Sequence, residues 1–127
     1  MIIRGKERRF ELNVQSHEEI AKNLRDEDFA NFGELYQRGS LATIKADIML
    51  AIIMNRAFED HRAYDNPDYK PDYLTEEDFR FFSQAQLAEL ETELTKAMNA
   101  GNEISVETEE PKASGKNADE AKGEPSA

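Results

Sequence analysis

Seven apolar residues in a row, Ile48-Met49-Leu50-Ala51-Ile52-Ile53-Met54, lie between Asp47 and Asn55 near the middle of the chain. They belong to a longer span from Leu41 to about His61, opened by the capping residue Ser40, which reads as one helix that is apolar all the way round at its centre. A helix of that kind must be buried on every side. The seven-residue apolar run itself is too short to cross a bilayer, which takes about 20 predominantly apolar residues. In a chain of 127 residues, covering it requires neighbouring elements wrapped around it or a second subunit.

The neighbours are readable at low resolution. Ile2-Ile3, a turn at Arg4-Gly5-Lys6-Glu7 and the alternating Arg9-Phe10-Glu11-Leu12-Asn13-Val14 predict a β-hairpin, with Phe10, Leu12 and Val14 on one face. Two strands alone are marginal, so the hairpin must pack on helices or on another copy. Ser16-His17-Glu18-Glu19 has the form of a capping box before a short helix with Ile20 and Leu24 on its inner face. Phe29, Phe32 and Leu35/Tyr36 recur at three to four residues and predict a second short helix ending at Gly39. The stretch from Tyr64 to Tyr73 combines two prolines with Asx residues, and a turn-rich connection follows. Thr75 caps a restart at Glu76-Glu77-Asp78, with Phe79 and Phe82 facing inward and Phe81 on another face. A last helix is expected from about Ser83 to Ala100, carrying a narrow stripe of Leu87, Leu90, Leu94 and Ala97/Met98.

From Glu103 onward the chain has no aromatic residue and, after Val106, nothing apolar larger than alanine. Burial there cannot offset ordering entropy, so a disordered acidic tail is expected over 103–127. The expected fold is mainly α (α+β): a short N-terminal β-hairpin packed on a small helical bundle over residues 1–102, then the tail.

Charge and composition close several routes. With 16 Lys and Arg against 27 Asp and Glu the net charge is −11, which opposes direct contact with nucleic acid or an anionic membrane. The absence of cysteine removes disulfides, thiolate nucleophiles and cysteine-ligated metals. The opening Met1-Ile2-Ile3-Arg4 is far short of a secretory apolar region, so an intracellular, cytoplasmic protein is expected. The glycines are scattered, and no phosphate-binding loop forms. His17 and His61 have no Ser, Cys or second His nearby in sequence to build a triad, and structural or solvent roles are expected for both. The acids from Asp60 to Asp72 fail the EF-hand pattern at Arg62 and Pro67. Paired acids such as Glu18-Glu19 and Glu76-Glu77 stand at helix starts, where the dipole favours them. No catalytic, metal or cofactor site is expected.

The order of these parts, from "IIRGKERRFELNV" through small helices to "GSLATIKADIMLAIIMNRAF" and then "LTEEDFRFF", a last amphipathic helix and an acidic tail, resembles the tail assembly chaperones of long-tailed bacteriophages and prophages. The resemblance implies a non-enzymatic protein that binds the tape measure protein, keeps it soluble and helps major tail protein polymerise around it. It also implies self-association into a homo-oligomer. On this reading the partner-contact residues are Ile48, Met49, Ile52 and Ile53 on the central helix, Leu87, Leu90 and Leu94 on the last, and Phe81. Genes of this family commonly end at a programmed frameshift, and Gly115-Lys116-Asn117 can be encoded by a run of G and A that permits slippage; equally, these are three common residues in a tail. The alternative is an acidic binding module of another kind, such as a DNA mimic that occupies a basic site on a host protein.

Overall fold

The structure, a computed structural model, describes the backbone of residues 1–109 and side chains through Asn102. It is mainly helical with a short N-terminal antiparallel hairpin, as the sequence leads one to expect. Strands β1 (Ile2–Ile3) and β2 (Lys6–Glu7) pair in the register Ile2 with Glu7 and Ile3 with Lys6. The turn has two residues, Arg4 at φ 53° and Gly5 at φ 81°. Positive φ at both central positions is the geometry whose twist matches that of the flanking strands, and the glycine makes the second position costless.

The hairpin is anchored on the core and not left as a free ribbon. Met1 and Ile3 are buried, and the Met1 amino group donates to the Arg8 carbonyl (3.0 Å) while the Arg8 amide donates to Met1 O (2.7 Å). Arg4 reaches Asp78 (3.1 Å), and Lys6 and Arg8 both meet Asp72. Arg8 itself is only 8% exposed, its guanidinium donating to the Asp72 carbonyl.

The expected second strand over Phe10 to Val14 does not form. The hydrogen-bonding groups of this stretch go to the central helix: the Glu11 amide donates to Met54 O (3.0 Å), and Asn55 Nδ2 donates to Arg9 O (3.1 Å). Phe10 and Leu12 still turn inward against the core, but Val14 opens helix α1 (Val14–Ala21) and is 74% exposed. The cap of α1 is Asn13, whose side chain accepts from the Ser16 amide while Ser16 Oγ accepts from the Asn13 amide. The capping box therefore sits three residues earlier than Ser16-His17-Glu18-Glu19 suggested. Ser16 is its inner member, fully buried and also donating to Glu11 O.

A 3-10 segment, Phe29–Tyr36, follows with its aromatic residues stacked in series, Phe29 on Phe32 at 5.3 Å and Phe32 against Tyr36 at 5.9 Å. Gly39, at φ 103°, is the N-cap of helix α2 (Ser40–Asp65), and Ser40 is the first helical residue. The carbonyl of Gly39 accepts from the amide and hydroxyl of Thr43. Helix α2 is the axis of the molecule. Leu50, Ala51, Ile53 and Met54 are buried, and Ile48, Met49 and Ile52 are half-buried against them.

After α2 the chain from Asn66 to Thr75 is non-helical and is held to α2 by side chains on one stripe of that helix. Tyr69 Oη donates to Glu59 (2.6 Å), the Asp72 amide donates to the same oxygen (2.9 Å), and the Leu74 amide donates to Asn55 Oδ1 (3.0 Å). Arg56 and Arg62 lie over the rings of Tyr73 and Tyr69. The 3-10 turn Glu76–Phe79, capped by Thr75 and Asp78, then buries Phe79 against Phe82.

Helix α3 (Gln84–Glu109) begins one residue after Ser83 and runs past Ala100. Gly101 explains how the helix passes this point: a Cβ here would lie 2.8 Å from Leu12 O, so only glycine lets α3 lie against the Leu12 backbone. Side chains of the tail expected over 103–127, and the Gly115-Lys116-Asn117 sequence, lie outside the described residues. No helix among the described residues is long and apolar enough to cross a membrane.

Candidate helix-binding groove

Three of the expected contact residues come together at one cavity, two of them half-buried and the third, Ile53, buried in the core beneath. Met49, Ile52 and Ile53 line a cavity of about 390 Å³ beside Lys22, Asn23 and Arg56. Met49 and Asn23 also wall a second cavity, of about 430 Å³, floored by Leu24, Leu35, Ala42 and Ala46. The two cavities adjoin at Asn23 and Met49 and lie in succession along α2, giving a groove in two parts beside the α1 to Tyr36 segment, with Glu76 at one end. Its stripe on α2 runs Ala42, Lys45, Met49, Ile52, Arg56, spaced at three and four residues so that all face one way. At about 1.5 Å of rise per residue this is about 21 Å of helix surface.

The rim is polar. Arg25 grips Glu34 through Nε (3.1 Å) and Nη2 (2.7 Å) and also donates to Asn31. That contact, foremost its hydrogen bond, holds the Glu34 carboxyl below its ordinary value. Arg56 meets Glu19 at 3.4 Å.

The other expected contact residues are elsewhere. Ile48 is half-buried against the core and lines neither cavity. Leu90 and Leu94, expected on a separable surface stripe, are 0% and 3% exposed and belong to the core with Leu50 and Met54. The stripe is narrow because α3 meets α2 along one line. Leu87 is half-buried on α3. Phe81 is 86% exposed, touched by the guanidinium of Arg80 at 5.4 Å, while Phe79 and Phe82 point inward as their spacing implied.

A second polar feature lies inside the bundle. Asp47 on α2 is 2% exposed, accepts from the Tyr36 hydroxyl (3.1 Å) and, together with Glu91 on α3, lines a cavity of about 330 Å³. Burial, then its hydrogen bond to the Glu91 carboxyl, pushes Asp47 up to about 7, against the lowering effect of the Tyr36 hydroxyl. The Tyr36 phenol is itself pushed up, first by burial and then by the charge on Asp47. The two histidines are engaged structurally. His17 stacks on Phe29 at 4.3 Å, and His61 lies between Glu11 (2.8 Å) and Asp65 (3.3 Å). The hydrogen bond and charge of Glu11 raise His61 above its ordinary value. Among the described residues no group of side chains is placed to hold a metal ion.

Sequence reasoning did not find the basic residues of the groove, Arg25, Arg38 and Lys45, nor its floor residues Leu24 and Leu35. Within α2 the signal was present, since Ala42, Lys45, Met49, Ile52 and Arg56 share a helical stripe; the opposing wall comes from residues distant in sequence.

Together these features define a mainly helical α+β domain with a long, apolar-floored surface groove. No protein-family model, curated protein or solved structure matches the chain.

Proposed function

We propose that this protein is a non-enzymatic assembly chaperone of the long-tailed phage type, acting in the host cytoplasm, that binds the tape measure protein, keeps it soluble and promotes assembly of the tail tube around it. The observation that carries this reading is the groove along α2, whose half-buried Ala42, Met49 and Ile52 offer apolar cover over about three helical turns. A long helical partner exposes stripes of apolar side chains that aggregate unless covered, and a groove matched to such a stripe is a recurrent way of covering them. Phe81, standing out of the 3-10 turn before α3, supplies a second apolar contact suited to a neighbouring copy along a long partner. The net charge of −11 keeps such a complex soluble.

Co-expression tests the reading. A tape measure protein from the same source genome is expected in the soluble fraction with this chain and in the pellet without it, and Met49→Lys is expected to return it to the pellet. A tape measure protein that precipitates equally in both cases removes the proposal.

A further inference from the structure

The groove is electrically lopsided. At the end nearer the start of α2 its walls carry three cations, Arg25, Arg38 and Lys45, against one carboxylate, Glu34. At the other end Lys22 and Arg56 stand against Glu19 and Glu76. Arg25 pairs with both Glu34 and Asp26, and Arg38 lies within the field of Glu34; the excess positive charge at the first end therefore rests on Lys45 and in part on Arg38, both exposed and in no ion pair among the described residues. This positive end sits on a chain whose net charge is −11, against the sign of its surroundings. The same cavity has an apolar floor of Leu24, Leu35, Ala42 and Ala46, which offers nothing to a phosphate backbone but matches the apolar face of a helix.

From this arrangement we infer that the groove binds an amphipathic helix that is acidic at one end, seated with that end against Arg38 and Lys45. The inference rests on the groove being the partner site proposed above, and adds the partner's charge and its direction. The apolar floor supplies affinity in either direction of binding; the two cations make one direction better, because carboxylates there meet opposite charge and lysines meet like charge.

The test uses the full chain and two synthetic amphipathic peptides of about six helical turns with the same leucine and alanine face, one ending in glutamates and the other in lysines. Binding is read by fluorescence anisotropy at low and high salt. The glutamate peptide is expected to bind about fivefold more tightly at low salt, since exposed pairs are individually worth little, and the advantage is expected to shrink as salt shortens the range of the field. Arg38→Glu with Lys45→Glu, both at exposed positions that leave the core intact, is expected to reverse the preference. Equal binding of both peptides, unmoved by the double substitution, overturns the inference and leaves the groove as a partner site. Binding of neither overturns both. If the chain alone dimerises and Met49→Glu abolishes the dimer, the occupant is a second copy and the inference fails.

Discussion

Replacing Asn55 by alanine should be among the most damaging polar substitutions in the molecule. Asn55 is fully buried, with Nδ2 donating to Arg9 O at 3.1 Å and Oδ1 accepting from the Leu74 amide at 3.0 Å. One side chain thus ties two segments on either side of α2, the chain leaving the hairpin and the chain entering the Thr75 turn. Truncation leaves the buried Leu74 amide and the part-buried Arg9 carbonyl without partners; at roughly 1–3 kcal/mol for the first and less for the second, the loss should total roughly 2–4 kcal/mol. Against a usual stability of about 5–15 kcal/mol this is a large fraction, and it should lower Tm by more than about 10 °C in a domain of this size. Asn99→Ala on the exposed face of α3 is the control: it makes the same change in helix propensity without removing a buried bond. Urea unfolding of the two variants, compared at matched slope, isolates the buried pair. A difference below about 1 kcal/mol would refute the argument that these two bonds clamp the segments.

Other substitutions separate packing from surface. Leu90→Ala should cost about 2–5 kcal/mol in the same denaturation assay, whereas Phe81→Ser should change stability by less than about 0.5 kcal/mol and weaken self-association or partner binding instead. Gly101→Ala gains helix propensity but drives a methyl to 2.8 Å from Leu12 O, so hydrogen exchange should show faster opening of α3 around residue 101, and a slower rate would contradict the close approach. Asp47 binds its proton more tightly folded than unfolded, so stability contributed by this group is greatest at acid pH and falls as pH rises from the ordinary carboxylate value to about 7; Asp47→Asn should flatten the fall, measured as urea midpoints from pH 4 to 8. His61, also raised, stabilises fully below its ordinary value and loses that contribution as pH passes its folded value, so His61→Gln should remove a second, smaller decline at higher pH.

The parts legible in the sequence were those fixed by local chemistry. Gly5 marks the hairpin turn, although Lys6 and Glu7, read as part of it, form β2; the spacing of Phe79, Phe81 and Phe82 sorts inner from outer rings, and the apolar run of α2 demands wrapped neighbours. Misreadings arose where a distant partner decided the outcome. Phe10, Leu12 and Val14 alternate like a strand, but the groups that satisfy this backbone are Met54 O and Asn55, more than forty residues on. Ser16 has the composition of an N-cap, yet Asn13 is placed to accept from the Ser16 amide, and Ser16 serves better as the buried inner member. Leu90 and Leu94 were assigned to a surface because their stripe is narrow. One line of contact with α2 suffices to bury both.

The run from Ile48 to Met54 also shows why core and contact residues are hard to separate in a helix that is apolar on all sides. Leu50, Ala51 and Met54 face the other helices and close the core, while the stripe continuing through Asn55, Glu59 and Arg62 exchanges apolar packing for polar grips on the 66–75 segment. Met49 and Ile52 fall on the side that no element among the described residues fully covers. A helix serving only as a core would carry polar residues there, since leaving methionine and isoleucine half in water costs stability without adding packing. Their position on α2, beside Lys45 and Arg56, is why that side is the one proposed to meet a partner, while the opposite side packs the core.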